Sequence, residues 1–246
     1  DTPLARPLEV GDQLLLGDMI TTGEDSSVAI RFADDSTVSL SQNAELIFDH
    51  MSAHEETGMV DSRLRLMKGT AETEVTRQLA GPARFEIHTP SAISAVRGTS
   101  FRTTYQQQED AARVEVLHGG VAVQAKSVTE LVEQGFGTKV KKGEAPIKPR
   151  ELLPAPELAK LPEVLTQINH NFRWQGHEDS TAYRFQIAEH ESFNTLIWEK
   201  VQPGSELFFP ELNDGKYFVR LRSIDDIGIE GHSQVKPVMI NLMPLP

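Results

Sequence analysis

The stretch "HTPSAISAVRGTSFRTTY", residues 88–105, decides how this chain is read. Both ends look like strand, with β-branched and aromatic residues, and the middle is built of small side chains. Arg97 stands directly before Gly98, among neighbours that are small or apolar. A guanidinium carries five donors in a fixed fork, and one left unpaired in a partly buried place is unfavourable. Arg97 therefore needs either an acid of the protein itself or the carboxylate of a ligand. The internal pairing is the preferred reading, with Glu72, Glu74 and Glu115 on other expected strands as candidate partners. Gly98 would allow a close backbone approach or a bulge that aims the arginine.

Working outward, the surrounding sequence alternates with a period of two. Val28, Ile30 and Phe32 alternate with Ala29 and Arg31. The same period recurs at Val38 and Leu40, Leu46 and Phe48, Leu64 and Leu66, Phe85 and Ile87, Val114 and Val116, and Val121 and Val123. Turn-forming runs separate these segments, among them "TGEDS" (22–26), "ADDS" (33–36), "KGT" (68–70), "HGG" (118–120) and "KKGE" (141–144). Many short strands predict an all-β domain over residues 1–145, a β-sandwich, jelly-roll-like or solenoid-like. Helix is expected only at "LPEVLTQI", residues 161–168, with a turn after Ser91.

The composition then shifts. Residues 146–168 carry prolines at 146, 149, 154, 156 and 162, which predicts an extended, semi-rigid connection outside any sheet. Leu152, Leu153 and Leu158 argue that it lies along a protein surface rather than in water. Alternation resumes in residues 169–246, now richer in aromatics. Tyr183, Phe185 and Ile187 share one face, as do Tyr217, Val219 and Leu221, in a unit the size of a seven-stranded sandwich.

Composition excludes several function classes. The 246 residues carry 36 acidic and 24 basic side chains, a net charge of −12, so nucleic acid and anionic lipid are poor partners. The one basic run, Lys139–Gly143, reads as a solvated turn. There is no cysteine, which removes disulfides and cysteine-based zinc sites. No apolar run is long enough to span a bilayer as a helix, so no direct membrane insertion is expected. The opening "DTPLARPLEVGD" reads as a mature or trimmed chain.

Segments "VGDQLLLGDMITTGEDSSVAIRFADDSTVSL", "LRLMKGTAETEV", "FEIHTPSAISAVRGTSFRTTY", "VEVLHGGVAV" and "LVEQGFGTKVKKGE", in that order, resemble the FecR domain family. The block "TPSAISAVRGTSF" is the most telling, and the resemblance covers about residues 8–145. One departure is "ADDS", where the family carries Asp-Gly, so Asp35 must take a left-handed turn that suits glycine better. The second unit resembles a fibronectin type III module. Trp174 matches its early core tryptophan, and Leu212, Gly215 and Tyr217 match a corner whose tyrosine hydroxyl bonds back to the backbone. The FecR resemblance implies a periplasmic or cell-envelope module. In one family arrangement it is joined to a membrane span and a cytoplasmic anti-sigma segment. In another, a peptidoglycan-binding LysM domain precedes FecR and fibronectin-like units, and the order found here is closer to that one.

No catalytic constellation emerges. Ser100 lies in "GTS", within an expected strand, and no nucleophile elbow occurs. Glu72 and Glu74 would project to the same side of a strand, as exposed acids commonly do. His50 and His54 are four apart, a metal-binding spacing on a helix, but their segment reads as a surface loop. The expectation is a non-enzymatic scaffold with no metal and no cofactor, binding an envelope protein partner. Peptidoglycan or another glycan is the alternative ligand, and a transmembrane signalling regulator the alternative role. Candidate binding residues are Arg97, Thr99, Phe208 and Phe209, while Pro90, Gly98, Trp174 and Tyr217 are expected to hold the fold.

Overall fold

The computed structural model describes residues 6–54, 59–76, 85–96, 98–158, 160–167 and 171–242. Among them there is no helix; every regular element is a strand. The first unit holds β1 (Met19–Thr21), β2 (Val28–Arg31), β3 (Thr37–Leu40), β4 (Glu45–His54), β5 (Met59–Glu74), β6 (Phe85–His88) and β7 (Ile93–Val96). It continues through β8 (Ser100–Gln106), β9 (Ala111–His118), β10 (Gly120–Ala125), β11 (Val128–Glu133), β12 (Phe136–Lys141) and β13 (Arg150–Glu151). These form one curled thirteen-stranded sheet.

The sheet turns back on itself because β5 serves two neighbourhoods. Its first half pairs with β4 and β6, and its second half with β3 and β8. Gly69, at φ +86, marks the change of direction, and a Cβ there would overlap Ala44 at 2.6 Å. The curl encloses one apolar core. All the alternating apolar residues named above from Ile30 to Val123 are buried in it, and Val28 packs at its margin. The ADDS turn closes with Asp35 at φ 62, an uncommon but accessible conformation for aspartate. The Asp35 amide donates to Phe32 and its carboxylate accepts from Arg31.

The second unit holds β14 (Val164–Leu165), β15 (Asn171–Arg173), β16 (Ala182–Ala188), β17 (Trp198–Gln202), β18 (Glu206–Phe208), β19 (Gly215–Ile224) and β20 (Glu230–Ile240). One sheet runs β14-β20-β19-β16-β17 and the other pairs β15 with β18. Between them lies an aromatic core in which Phe185 meets Phe172, Trp174, Trp198 and Phe209 at centroid distances of 6.0–6.3 Å. Trp174 is buried there, and the buried Tyr217 hydroxyl donates to the Asn213 carbonyl at 3.1 Å.

Two expectations need correction. Residues 161–168 are not helical over their described part: Val164 and Leu165 form β14, parallel to the end of β20. Leu158, Leu161 and Leu165 are buried in the second core, and that burial outweighs a helical tendency already weakened by Pro162. Nor does the connection stay outside the sheets, since Arg150–Glu151 pairs with β12 as β13. Leu152 is buried, and the Leu153 carbonyl accepts the His232 amide at 2.8 Å. The proline-rich segment is thus laid along the joint between the units.

Candidate functional site

The joint is where charged chemistry concentrates. On β8, Phe101 faces the apolar core and Arg102 faces the opposite way, yet both are buried. On β9, Val114 and Val116 point inward while Arg113 and Glu115 point outward, again all buried. The second unit mirrors this arrangement. Val219 and Leu221 of β19 enter its core while Arg220 and Arg222 turn away from it, as do Arg184 and Gln186 of β16. The two outward polar faces meet, and each covers the other.

Arg102 sits at the centre with no measurable exposure. Its Nη2 donates to the carbonyls of Glu230 at 2.7 Å and Gly231 at 2.9 Å. Its Nε stands 3.7 Å from Glu115 and its Nη1 3.9 Å from Glu230, and neither nitrogen makes a hydrogen bond among the described residues. Glu72 of β5 crosses the joint to Arg220 at 3.0 Å and also pairs with Arg222. Glu230 accepts from Arg184 at 2.7 Å and Arg222 at 3.0 Å, and Glu199 pairs with Arg184 at 2.9 Å. Arg220 is also held by Gln186 at 2.8 Å and lies over the Phe193 ring, 4.3 Å from its centroid.

Burial by itself would push Glu72 and Glu230 up, and the arginines beside them outweigh it. The charges of Arg220, Arg222 and Arg102 hold Glu72 down at about 2 despite burial. Arg184, Arg222 and Arg102 hold Glu230 well below the usual carboxylate range in the same way. Burial pulls Arg220 down to about 9, helped by Arg222 and opposed by Glu72.

Close backbone contacts complete the joint. Arg113 Nε donates to the Ile227 carbonyl at 2.6 Å, its Nη1 to Gln106 at 2.8 Å and its Nη2 to Glu109 at 2.6 Å. Gly228, at φ +86, presses its backbone against that guanidinium, where a Cβ would collide. Gly137 of β12 leaves room for Ile229 in the same manner. At the rim, Arg150 bridges to Asp225 at 3.2 Å and Asp226 at 2.6 Å.

The sequence-derived candidates fall elsewhere. Arg97 lies outside the described residues. Two of its proposed partners, Glu72 and Glu115, belong to the joint, and Glu74 is exposed. Thr99 is buried, its hydroxyl donating to the Gly120 carbonyl at 3.0 Å. Phe209 is a core residue rather than a binding residue; its neighbour Phe208 is 63% exposed. Gly98 adopts φ 71, and the pairing of β8 with β9 slips between Ser100 and Phe101 just beyond it. Pro90 is exposed in the bend before β7. The HMSAH segment is strand, not loop: β4 runs to His54. Among the described residues no group of three or more histidines and acids is arranged to hold a metal ion.

The charged joint was missed because Arg102, Arg113, Glu115, Arg184, Arg220 and Arg222 occupy the polar positions of alternating strands, which read as solvent-facing. One signal was available: arginine recurs on those positions of β8, β9, β16 and β19, where serine, threonine and lysine are equally suited to water.

Residues 18–122 match the FecR protein family. The FecR segment thus supplies Glu72, Arg102, Arg113 and Glu115, while the residues that face them across the joint lie beyond it. Two crystal structures described as anti-sigma factors from Parabacteroides distasonis are similar at 17% and 18% identity, with TM-scores of 0.47 and 0.45. The alignment covers 55% of this chain and spans 60% and 59% of theirs. The extracellular domain of a hybrid two-component system from B. thetaiotaomicron aligns over 87% of this chain and 36% of its own, at 7% identity and a TM-score of 0.26. No curated protein matches the chain significantly in sequence.

Proposed function

We propose that this chain is the extracytoplasmic part of a FecR-type signalling regulator of the cell envelope, and that it works by binding a protein partner rather than by catalysis. The observation that carries this reading is the FecR match over residues 18–122. In this reading residues 1–145 form the FecR domain, 146–168 the connection and 169–246 a fibronectin type III-like module. The five-plus-two arrangement of strands, buried Trp174 and the Tyr217 corner bond support that last assignment. The acids and arginines that would otherwise suggest a reactive site are engaged in holding the two units together. Recognition then falls to the remaining sheet faces, edges and loops.

The test is capture from a cross-linked envelope extract with the whole chain as bait. One saturable protein partner, competed by excess free chain, is the expected result. Co-sedimentation with isolated sacculi and no protein above background would replace this reading with peptidoglycan binding, for which exposed Phe208 beside the Asn171–Glu206 pair is the surface to mutate.

A further inference from the structure

Within the joint, one carboxyl is held unlike the rest. Glu115 is completely buried on β9. Its Oε1 accepts the backbone amide of Glu230 at 3.2 Å. Its Oε2 lies 3.7 Å from Arg102 Nε, beyond hydrogen-bonding reach, and has no partner among the described residues. Glu72, Glu199 and Glu230 each accept at least one charged hydrogen bond of 3.0 Å or less from an arginine. Arg102, which should neutralise Glu115, is turned toward backbone carbonyls of the second unit.

The groups that face Glu115 come from every element around it. Arg102 approaches from β8 and Glu230 from β20, while Arg113 adds a positive charge from β9 itself. Opposite it, β12 presents Gly137, which has no charge. Glu72 of β5 and Arg222 of β19 act in turn on Arg102. With all four glutamates ionised, Arg102, Arg184, Arg220 and Arg222 balance them. The one glutamate that can be neutral without losing a charged hydrogen bond is Glu115.

We infer that the joint is a proton-operated latch, in which ionisation of Glu115 loosens the docking of the second unit on the first. The Glu230 amide that bonds Glu115 lies two residues before His232, whose amide ties β20 to the connection, so one residue's ionisation acts on the whole docked turn. Burial, against the attraction of Arg102 and reinforced by the charge of Glu230, pushes Glu115 up to about 7. A carboxyl raised in the folded state contributes stability that is full below its unfolded value of 4.5 and is lost as pH rises through about 7. Glu72 and Glu230 are depressed, so their contribution is present above 4.5 and is lost as pH falls. Docking is therefore tightest near pH 4.5, weakens as pH rises from there to about 7, and levels off above that. This inference stands independently of which partner the chain binds.

The experiment is amide hydrogen exchange on the intact chain from about pH 5 to pH 8, corrected for the intrinsic rate. Protection of the Glu230 and His232 amides is expected to fall by up to about tenfold per pH unit between about pH 5 and 7 and to level off above, while core amides such as those of Leu66 and Val219 hold. Glu115→Gln, which keeps the shape and stays neutral, is expected to flatten that dependence. A wild-type profile flat between about pH 5 and 7, or a Gln variant that falls there as the wild type does, overturns the latch. Carboxyl-carbon NMR titration of the unmodified protein decides the matter if the variant does not fold. One glutamate titrating between about pH 6 and 8 supports the latch, and every glutamate titrating below about pH 5 sinks it.

Discussion

Leu221 and Arg222 are neighbours in sequence, both almost wholly buried, and they belong to different kinds of interior. Leu221 enters an aromatic and aliphatic core whose driving force is removal of apolar area from water, a non-directional gain. Arg222 enters a charged layer where attraction is set largely against the desolvation of both partners, so the net contribution is small while the geometry is exacting. Such a layer fixes how two surfaces sit far more than it glues them. The apolar cores make each unit fold; the charged joint decides how one unit is placed on the other.

The sharpest way to break this comparison is to remove one charge. Arg222→Ala takes one arginine from each of Glu72 and Glu230 and is expected to destabilise the docked chain by about 3–5 kcal/mol, read as a lower urea midpoint with early proteolysis of the 146–168 connection. Leu221→Ala is expected to cost about 2–5 kcal/mol and to unfold the second unit itself, lost near-UV signal from its aromatics being the marker. If both variants lose the same signals together, the two interiors form one cooperative unit and the distinction fails.

Acid should separate the two interiors in another way. Glu72 and Glu230 have depressed folded values, so the stability they add is complete above 4.5 and drains away toward about pH 2. Urea midpoints measured across that range should decline in the wild type and decline less in Glu72→Gln. Gly228→Ala carries no charge change but places a Cβ on the Arg113 guanidinium at a positive φ, with an expected loss of about 1–3 kcal/mol. At the bottom of the scale, Phe208→Ala removes an exposed ring and should move stability by no more than about 0.5 kcal/mol.

Much of the fold was legible before any coordinate. The period-two pattern named Val38, Leu40, Leu64, Leu66, Phe85, Ile87, Val114 and Val116 as inward residues, and each is buried. Asp35 and Gly98 sit at positive φ near the turns that surround them in sequence. The extended connection was also foreseeable from its prolines, though its two short strand pairings were not: β14 pairs with Met239 and Ile240 far along the chain, and the two-residue β13 is too short to show a period. The candidate site was almost illegible. The motif points to Arg97, while the arginine that organises the joint is Arg102, on the polar side of the strand that follows.

What the sequence by itself determined is the identity of the strands and the inner face of each, because side-chain alternation is a local property of an extended backbone. Only the tertiary structure decided what meets the other face. Arg102 reaches the Glu230 carbonyl across 128 residues of sequence, and no periodicity within β8 or β20 encodes that meeting. A polar face turned to water and a polar face closed against complementary charges carry the same local pattern. They differ only in the partner that the rest of the chain brings.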